Sequence, residues 1–267
     1  MELNRDEFGA LIIDNIKFGK YTDKHYIFNY KNERYYLKRC INIENIYNGL
    51  IAEFIAHDFG ISCTHSDIYV DDGYYGYISK EINNNYKCKA IDEYLNEDKN
   101  NNLTDIWNIF SGNDNIMCSF VNVFLFDVLI ANPDRHSLNL TIYNDEEIGM
   151  LYDNENMLNE DSYLYGFYSL QIDSDDYSME IGEYNLLEKF LYRSDNLYLE
   201  ILKSKLWIIS EENLKSVFKR VENRLGVSMQ ESIKNKIIYK MKLNYDKINE
   251  VIKKYDRVNG YEYKFKL

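Results

Sequence analysis

Proline is almost absent: one, Pro133, in 267 residues, so the chain has a single position where a backbone donor is removed and the preceding residue is pushed out of helix. Cysteine is scarce as well. Cys40, Cys63, Cys88 and Cys118 are far apart and form no paired metal-ligand spacing, which excludes a zinc motif or a disulfide framework and predicts reduced thiols in a cytoplasm. Basic residues are outnumbered, 31 against 44 acidic, giving a net charge of −13. That charge repels phosphate backbones and anionic lipid, so neither nucleic acid nor a membrane surface is expected as a direct partner. Long apolar runs are missing too. The longest, from Cys118 to Ala131, is too short for a bilayer and carries Asn122 and Asp127, so it reads as a buried helix. The start, MELNRDEFGA, has neither the basic end nor the apolar stretch of a signal peptide.

What is present is globular: 45% apolar and 28% charged, with 26 tyrosines in a composition typical of an AT-rich genome. At this length about 75% of the unfolded surface can be buried, enough for a core without staples. No repeat or low-complexity linker divides the chain. The polar run Asn96 to Asp105 and the Tyr/Asp-rich segment Asp161 to Tyr184 are expected to be loops or excursions.

The first part reads as strands. HYIFNY and ERYYLKRC flank a turn at Lys31 and Asn32, and SDIYV pairs with YYGYISKEI across Asp71, Asp72 and Gly73. Between the hairpins, Ile46, Leu50, Phe54 and Ile55 recur at helical spacing until Gly60. From about Ala90 the pattern turns helical, with Leu214, Phe218, Val221 and Leu225 marking one amphipathic face. The expected architecture is α+β and bilobal: a small sheet lobe with one helix, then a larger helical lobe.

The chemistry gathers where the apolar helix FLFDVLIA meets Asn132 and Pro133. Asp134, Arg135 and His136 follow at once, Asn139 lies five residues beyond Asp134, and the short strand LTIY comes next. Phosphoryl transfer needs such a pair, a carboxylate to orient the attacking hydroxyl and an amide oxygen on a magnesium ion. After a turn at NDEE, EIGMLY reads as the returning strand, and Asp153 at its end would bring a second metal ligand beside Asn139. Asp127 and Asn132 have the same interval, but Asp127 sits inside the helix and reads as a chance match. Arg135 and His136 read as braces for the loop rather than as chemistry.

NPDRHSLNL followed by LYDNENML resembles the catalytic and metal-binding segments of the HipA-like serine/threonine kinases of bacterial toxin systems. The Asp-Arg-His-x-x-Asn core is also similar to that of phosphatidylinositol kinases. The resemblance implies a protein-kinase-like fold with residues 1–82 as the small lobe and 83–267 as the large one, using ATP and Mg2+. It implies Asp134 as catalytic base and Asn139 and Asp153 as metal ligands. It also implies that Lys38, in RYYLKRC, grips the phosphates and pairs with Glu53 of the following helix. Lys38 alternates with Tyr36, whereas Arg39 points to the opposite face. Lys80, Glu81 and Ile82 would form the adenine hinge, and KFGKYTDKH the phosphate loop, with Gly19, Lys20 or Lys24, and Thr22 as the candidate for autophosphorylation.

Two departures stand out. Related kinases often have glycine where this chain has Glu155. The chain as given also starts close to the phosphate loop, as in compact members of the family. By the resemblance, the partners are a protein substrate, such as an aminoacyl-tRNA synthetase or another translation factor, and an antitoxin-like protein. A lipid or small-molecule kinase, and a kinase-shaped binding module without catalysis, remain open at the level of sequence.

Overall fold

The two alternating segments ahead of residue 81 fold as hairpins. In the computed structural model, residues 4–12, 25–30, 33–40, 43–71, 73–80, 88–94, 109–132, 135, 139–158 and 197–265 are described. Strands β1 (Leu11–Ile12), β2 (His25–Tyr30), β3 (Glu33–Arg39), β4 (Ser66–Asp71) and β5 (Tyr74–Lys80) form one five-stranded sheet in the order β1-β4-β5-β3-β2. β1 runs parallel to β4, and every other pairing is antiparallel. Gly73, at φ 77°, supplies the left-handed backbone that the tight β4–β5 turn requires. The short β1 and its pairing have no signal in the sequence pattern, because a two-residue strand shows no alternation.

Helix α1 (Ile43–Phe59) links the hairpins and is buried on more than one face, with Ile46, Tyr47, Leu50, Ile51, Ala52, Ile55, Ala56 and Phe59 in the core. It lies between the sheet and the helices that follow: α2 (Asp114–Ile130), α3 (Leu197–Lys205), α4 (Glu211–Leu225) and α5 (Glu231–Phe265). A single core therefore runs from Ile68 and Tyr77 of the sheet through α1 to Phe124, Val217 and Ile248. A second cluster, Leu37, Tyr69 and Ile78, fills the other face of the sheet, as strand alternation demands. Among the described residues no helix is long and apolar enough to cross a membrane.

Local chemistry sets the helix ends. Asn113 caps α2 by accepting from the Ile116 amide at 3.2 Å, and Ser210 caps α4 by accepting from Asn213 at 3.3 Å. Gly226, at φ 73°, closes α4. Two expectations need correction beyond residue 87. The chain does not turn helical directly: β6 (Cys88–Ala90) joins β7 (Thr141–Tyr143) and β8 (Glu147–Ile148) in a small antiparallel sheet of order β6-β7-β8. The returning strand is also shorter than EIGMLY. It ends at Ile148, and Leu151 bridges instead to Cys63, with its amide donating to Ser62 O at 2.9 Å and its carbonyl accepting from Thr64 at 2.8 Å. The segment that carries Asp153 is thus tied to the exit of α1. Asn96 to Asp105 and Asp161 to Tyr184 lie largely or wholly outside the described residues.

Candidate active site

The floor of the site is the end of α2. The helix stops at Ile130, and Ala131 takes the left-handed conformation, at φ 48° and ψ 54°. The carbonyls exposed by that stop are taken up from elsewhere. Asn244 of α5, itself buried, donates to Val128 O at 3.0 Å and Leu129 O at 2.8 Å, and the Leu158 amide donates to Ala131 O at 2.9 Å. The loop that follows therefore starts from a fully satisfied helix terminus.

Arg135 holds that loop. Its side chain is completely buried, and Asp127 meets it with both carboxylate oxygens, at 3.0 Å from Nε and 2.9 Å from Nη2. Nη2 also donates to Asn154 Oδ1 at 2.5 Å, and Nη1 to the carbonyls of Tyr152 at 3.1 Å and Asn139 at 3.5 Å. One guanidinium nitrogen thus gathers the backbones of Asn139 and of the residue preceding Asp153. The Asn132 side chain adds a donor to Asp127 Oδ1 at 3.0 Å, completing a buried network with a balanced charge. Inside the helix, Asp127 is the counter-ion of Arg135. A carboxylate buried in the last turn of an apolar helix needs a buried cation, and Arg135 eight residues on was the available signal.

Asp153 follows this anchor with φ 64°, a left-handed conformation that aspartate and asparagine tolerate better than other non-glycine residues. Its carboxylate meets Lys38 Nζ, and so does that of Glu155. The expected Lys38–Glu53 pair is absent. Glu53 instead accepts from Arg224 of α4 at 2.8 Å and from the Ser66 amide at 3.1 Å, and lies 3.1 Å from His65. The reason is steric. Tyr77, the cross-strand neighbour of Lys38 on the same face, is buried and packs its hydroxyl against Gly49 of α1, where any Cβ would come within 2.2 Å of the oxygen. That hydroxyl accepts from the Gly49 amide at 3.1 Å and donates to Ile46 O at 2.8 Å. With this tyrosine between strand and helix, Lys38 extends toward residues 153–155. Arg39 takes the other face, as expected, 3.5 Å from Asp71 and over the ring of Tyr74.

Burial pushes the Cys40 thiol up to about 12, and the negative charge of Glu155 adds to it, so the thiol beside the Lys38 cluster stays neutral. The Cys63 thiol, also raised to about 12 chiefly by burial, receives the Asn154 amide at 3.4 Å. Cys40, Cys63 and Cys118 are free. No group of three His, Cys, Asp or Glu side chains suited to a metal occurs among the described residues. Magnesium does not require one. It binds through one or two carboxylates together with substrate phosphates and water, and an Asp153 carboxylate beside the Asn139 segment is a hard oxygen set of that kind. Lys38 meets two carboxylates with its single charge.

The structure therefore brings together Lys38, Asp153 and the Asn139 segment, and sets Glu53 apart. Lys80 ends β5. Asp134, Gly19, Lys20, Thr22, Lys24, Glu81, Ile82 and His136 lie outside the described residues. Glu155 was read from sequence only as a departure from glycine, and its role as a partner of Lys38 depends on a contact across more than a hundred residues.

No protein-family profile matches this chain, and no curated protein matches it by sequence. Solved structures do. The fold is similar to that of CtkA, a Helicobacter pylori proinflammatory kinase, with a TM-score of 0.61 and 18% identity over 90% of this chain and 96% of that one. It is also similar to a chain from the Shewanella oneidensis MR-1 toxin-antitoxin complex of HipA, HipB and operator DNA, with a TM-score of 0.56 and 13% identity. That match covers 87% of this chain and 64% of the other, so this chain spans just under two thirds of its length. With a sheet-bearing region ahead of a helical one, the chain shares the fold of the kinase CtkA and of the HipA complex chain.

Proposed function

We propose that this protein is an ATP-dependent serine/threonine kinase that transfers the γ-phosphate of ATP to a hydroxyl of another protein. The observation that carries the reading is the placing of Lys38 against Asp153, on a segment anchored by the same arginine as the Asn139 backbone. Asp134 accepts or orients the proton of the attacking hydroxyl. Asn139 and Asp153 would hold Mg2+, which would supply positive charge against the phosphates. Lys38 shares that load, and Arg135 keeps the two metal-binding segments in register. Lys80, Glu81 and Ile82 serve as the hinge for adenine, and Gly19 and Lys20 cover the phosphates, with Thr22 as the hydroxyl for self-modification.

The class of acceptor follows from resemblance and charge. HipA-like kinases act on proteins, and a net charge of −13 disfavours anionic lipid as the surface of action. An aminoacyl-tRNA synthetase or another translation factor is the proposed substrate, and an antitoxin-like protein the proposed partner, by analogy with the complex of HipA with HipB.

The test is phosphopeptide mass spectrometry of cells expressing the wild type or Asp134→Asn, with labelled ATP in vitro to separate protein, lipid and small-molecule products. Turnover should fall about 10²-fold or more in the variant, as for a lost base or orienting carboxylate. Undiminished transfer would sink the assignment of Asp134, and label confined to lipid would reassign the acceptor.

A further inference from the structure

Lys38 has two anionic partners, and they differ in how firmly each is committed to it. The Glu155 side chain is 9% exposed and the Asp153 side chain 17%. Among the described residues Lys38 is the only cation paired with Glu155. A carboxylate this deep is costly to leave unpaired, so Glu155 and Lys38 hold each other. Asp153, by contrast, has a second task in the proposed reaction and must turn from the lysine toward a divalent cation. The glutamate on the helix is engaged elsewhere: Arg224 and the Ser66 amide both bind its Oε2, and His65 lies 3.1 Å from its Oε1.

Building on the kinase reading, we propose that Glu155 is the positioning residue for Lys38. It keeps the ammonium at the phosphate site when Asp153 releases it. The arrangement resolves a conflict in charge. If Asp153 were the only anchor of Lys38, binding a metal there would set the lysine loose at the moment its charge is needed. With Glu155 as a second, more buried carboxylate two residues further on, Asp153 exchanges one cation for another while the lysine stays in place. The residue found where related kinases often have glycine thus takes over the role that Glu53 has given up. Glu53 becomes an anchor between α1, β4 and α4.

The pairing can be read without catalysis. A brief pulse of acetic anhydride on the folded, ligand-free protein, followed by mass spectrometry of the peptide carrying Lys38, reports how tightly the amine is held. Glu155→Gln should raise the labelling rate of Lys38 roughly tenfold, the effect expected of one lost charge-assisted hydrogen bond, whereas Glu53→Gln should leave it unchanged. Calorimetry should show MgATP binding weakened by a similar factor in Glu155→Gln, with KM for ATP rising more than kcat falls. If Glu155→Gln does not fold, Glu155→Gly carries the same two measurements. Labelling of Lys38 that responds to Glu53→Gln and not to the Glu155 variants would overturn the proposal while leaving the kinase reading intact. Failure of the wild type to bind MgATP would overturn that reading, and with it the purpose assigned here to the pair.

Discussion

Arg135 and Lys38 are both cations set among acceptors near the same loop, yet they are built to opposite specifications. Arg135 is fully buried, meets one carboxylate with two of its nitrogens, and spends its other donors on an amide and two carbonyls. Lys38 is 20% exposed and faces two carboxylates with a single charge. The first arrangement is balanced and has nothing left to bind. The second carries excess negative charge at an accessible place. The difference separates framework from chemistry more clearly than residue type does.

The sharpest way to break this contrast is to remove the framework cation. Arg135→Met strands Asp127 in the core, and should cost about 3–5 kcal/mol of stability, as for other broken buried pairs. Urea denaturation would measure it. Adding Asp127→Leu should restore much of the stability, because the uncompensated charge is gone, but not phosphoryl transfer, since the Asn139 and Tyr152 carbonyls lose their common donor. Equal stability of Arg135→Met and wild type would show the network to be ornamental.

Lys38→Met should give the complementary result. Phosphoryl transfer should fall about 10²-fold, the usual cost of removing one preorganised charge from a reacting group. The thermal midpoint should move less than in Arg135→Met, because Asp153 retains some access to water and only Glu155 is left buried without its cation. A collapse in stability matching that of Arg135→Met would place Lys38 in the framework after all.

Sequence made one side of this contrast easier to see than the other. The hairpins, α1 and the amphipathic α4 were legible because each is a local pattern whose period survives in the fold. The break after α2 was legible for the same reason. Its motif also identified the segments that meet, since Arg135 joins Asn139 and Tyr152 within a short stretch of chain. The partner of Lys38 was not legible. Which carboxylate it reaches depends on the space that Tyr77 takes against Gly49, and on Arg224 reaching Glu53 from a helix far along the chain. The part played by Asp127 was not legible either: its spacing to Asn132 is a coincidence, and only burial shows it to be the counter-ion on which the loop depends. A charge inside an apolar helix was the stronger clue, and periodicity does not weigh it.

A third pair sharpens the comparison, because it matches Lys38 in exposure but not in charge balance. Arg220 of α4 binds Asp58 of α1 through both carboxylate oxygens, one at 2.8 Å, with Asn213 adding a donor at 3.2 Å. The side chains are 30% and 12% exposed, close to the values at Lys38, but one charge meets one charge. Burial works to raise the Asp58 carboxyl, and the hydrogen bonds from Arg220 and Asn213 outweigh it, so the net shift is downward. A folded-state value below the unfolded one means that the stabilisation is fully present above the unfolded carboxyl range, near about 3.9, and is lost as pH falls through the lowered value. Asp58→Asn should therefore cost about 1 kcal/mol near neutrality after screening, or roughly 2–4 °C in thermal midpoint. The gap between variant and wild type should hold down to about 3.9 and shrink toward zero only as the pH falls below that and through the lowered value. MgATP affinity should not change. If it fell with the midpoint, partial exposure alone would be enough to couple an ion pair to the site, and the excess charge at Lys38 would no longer be what sets it apart.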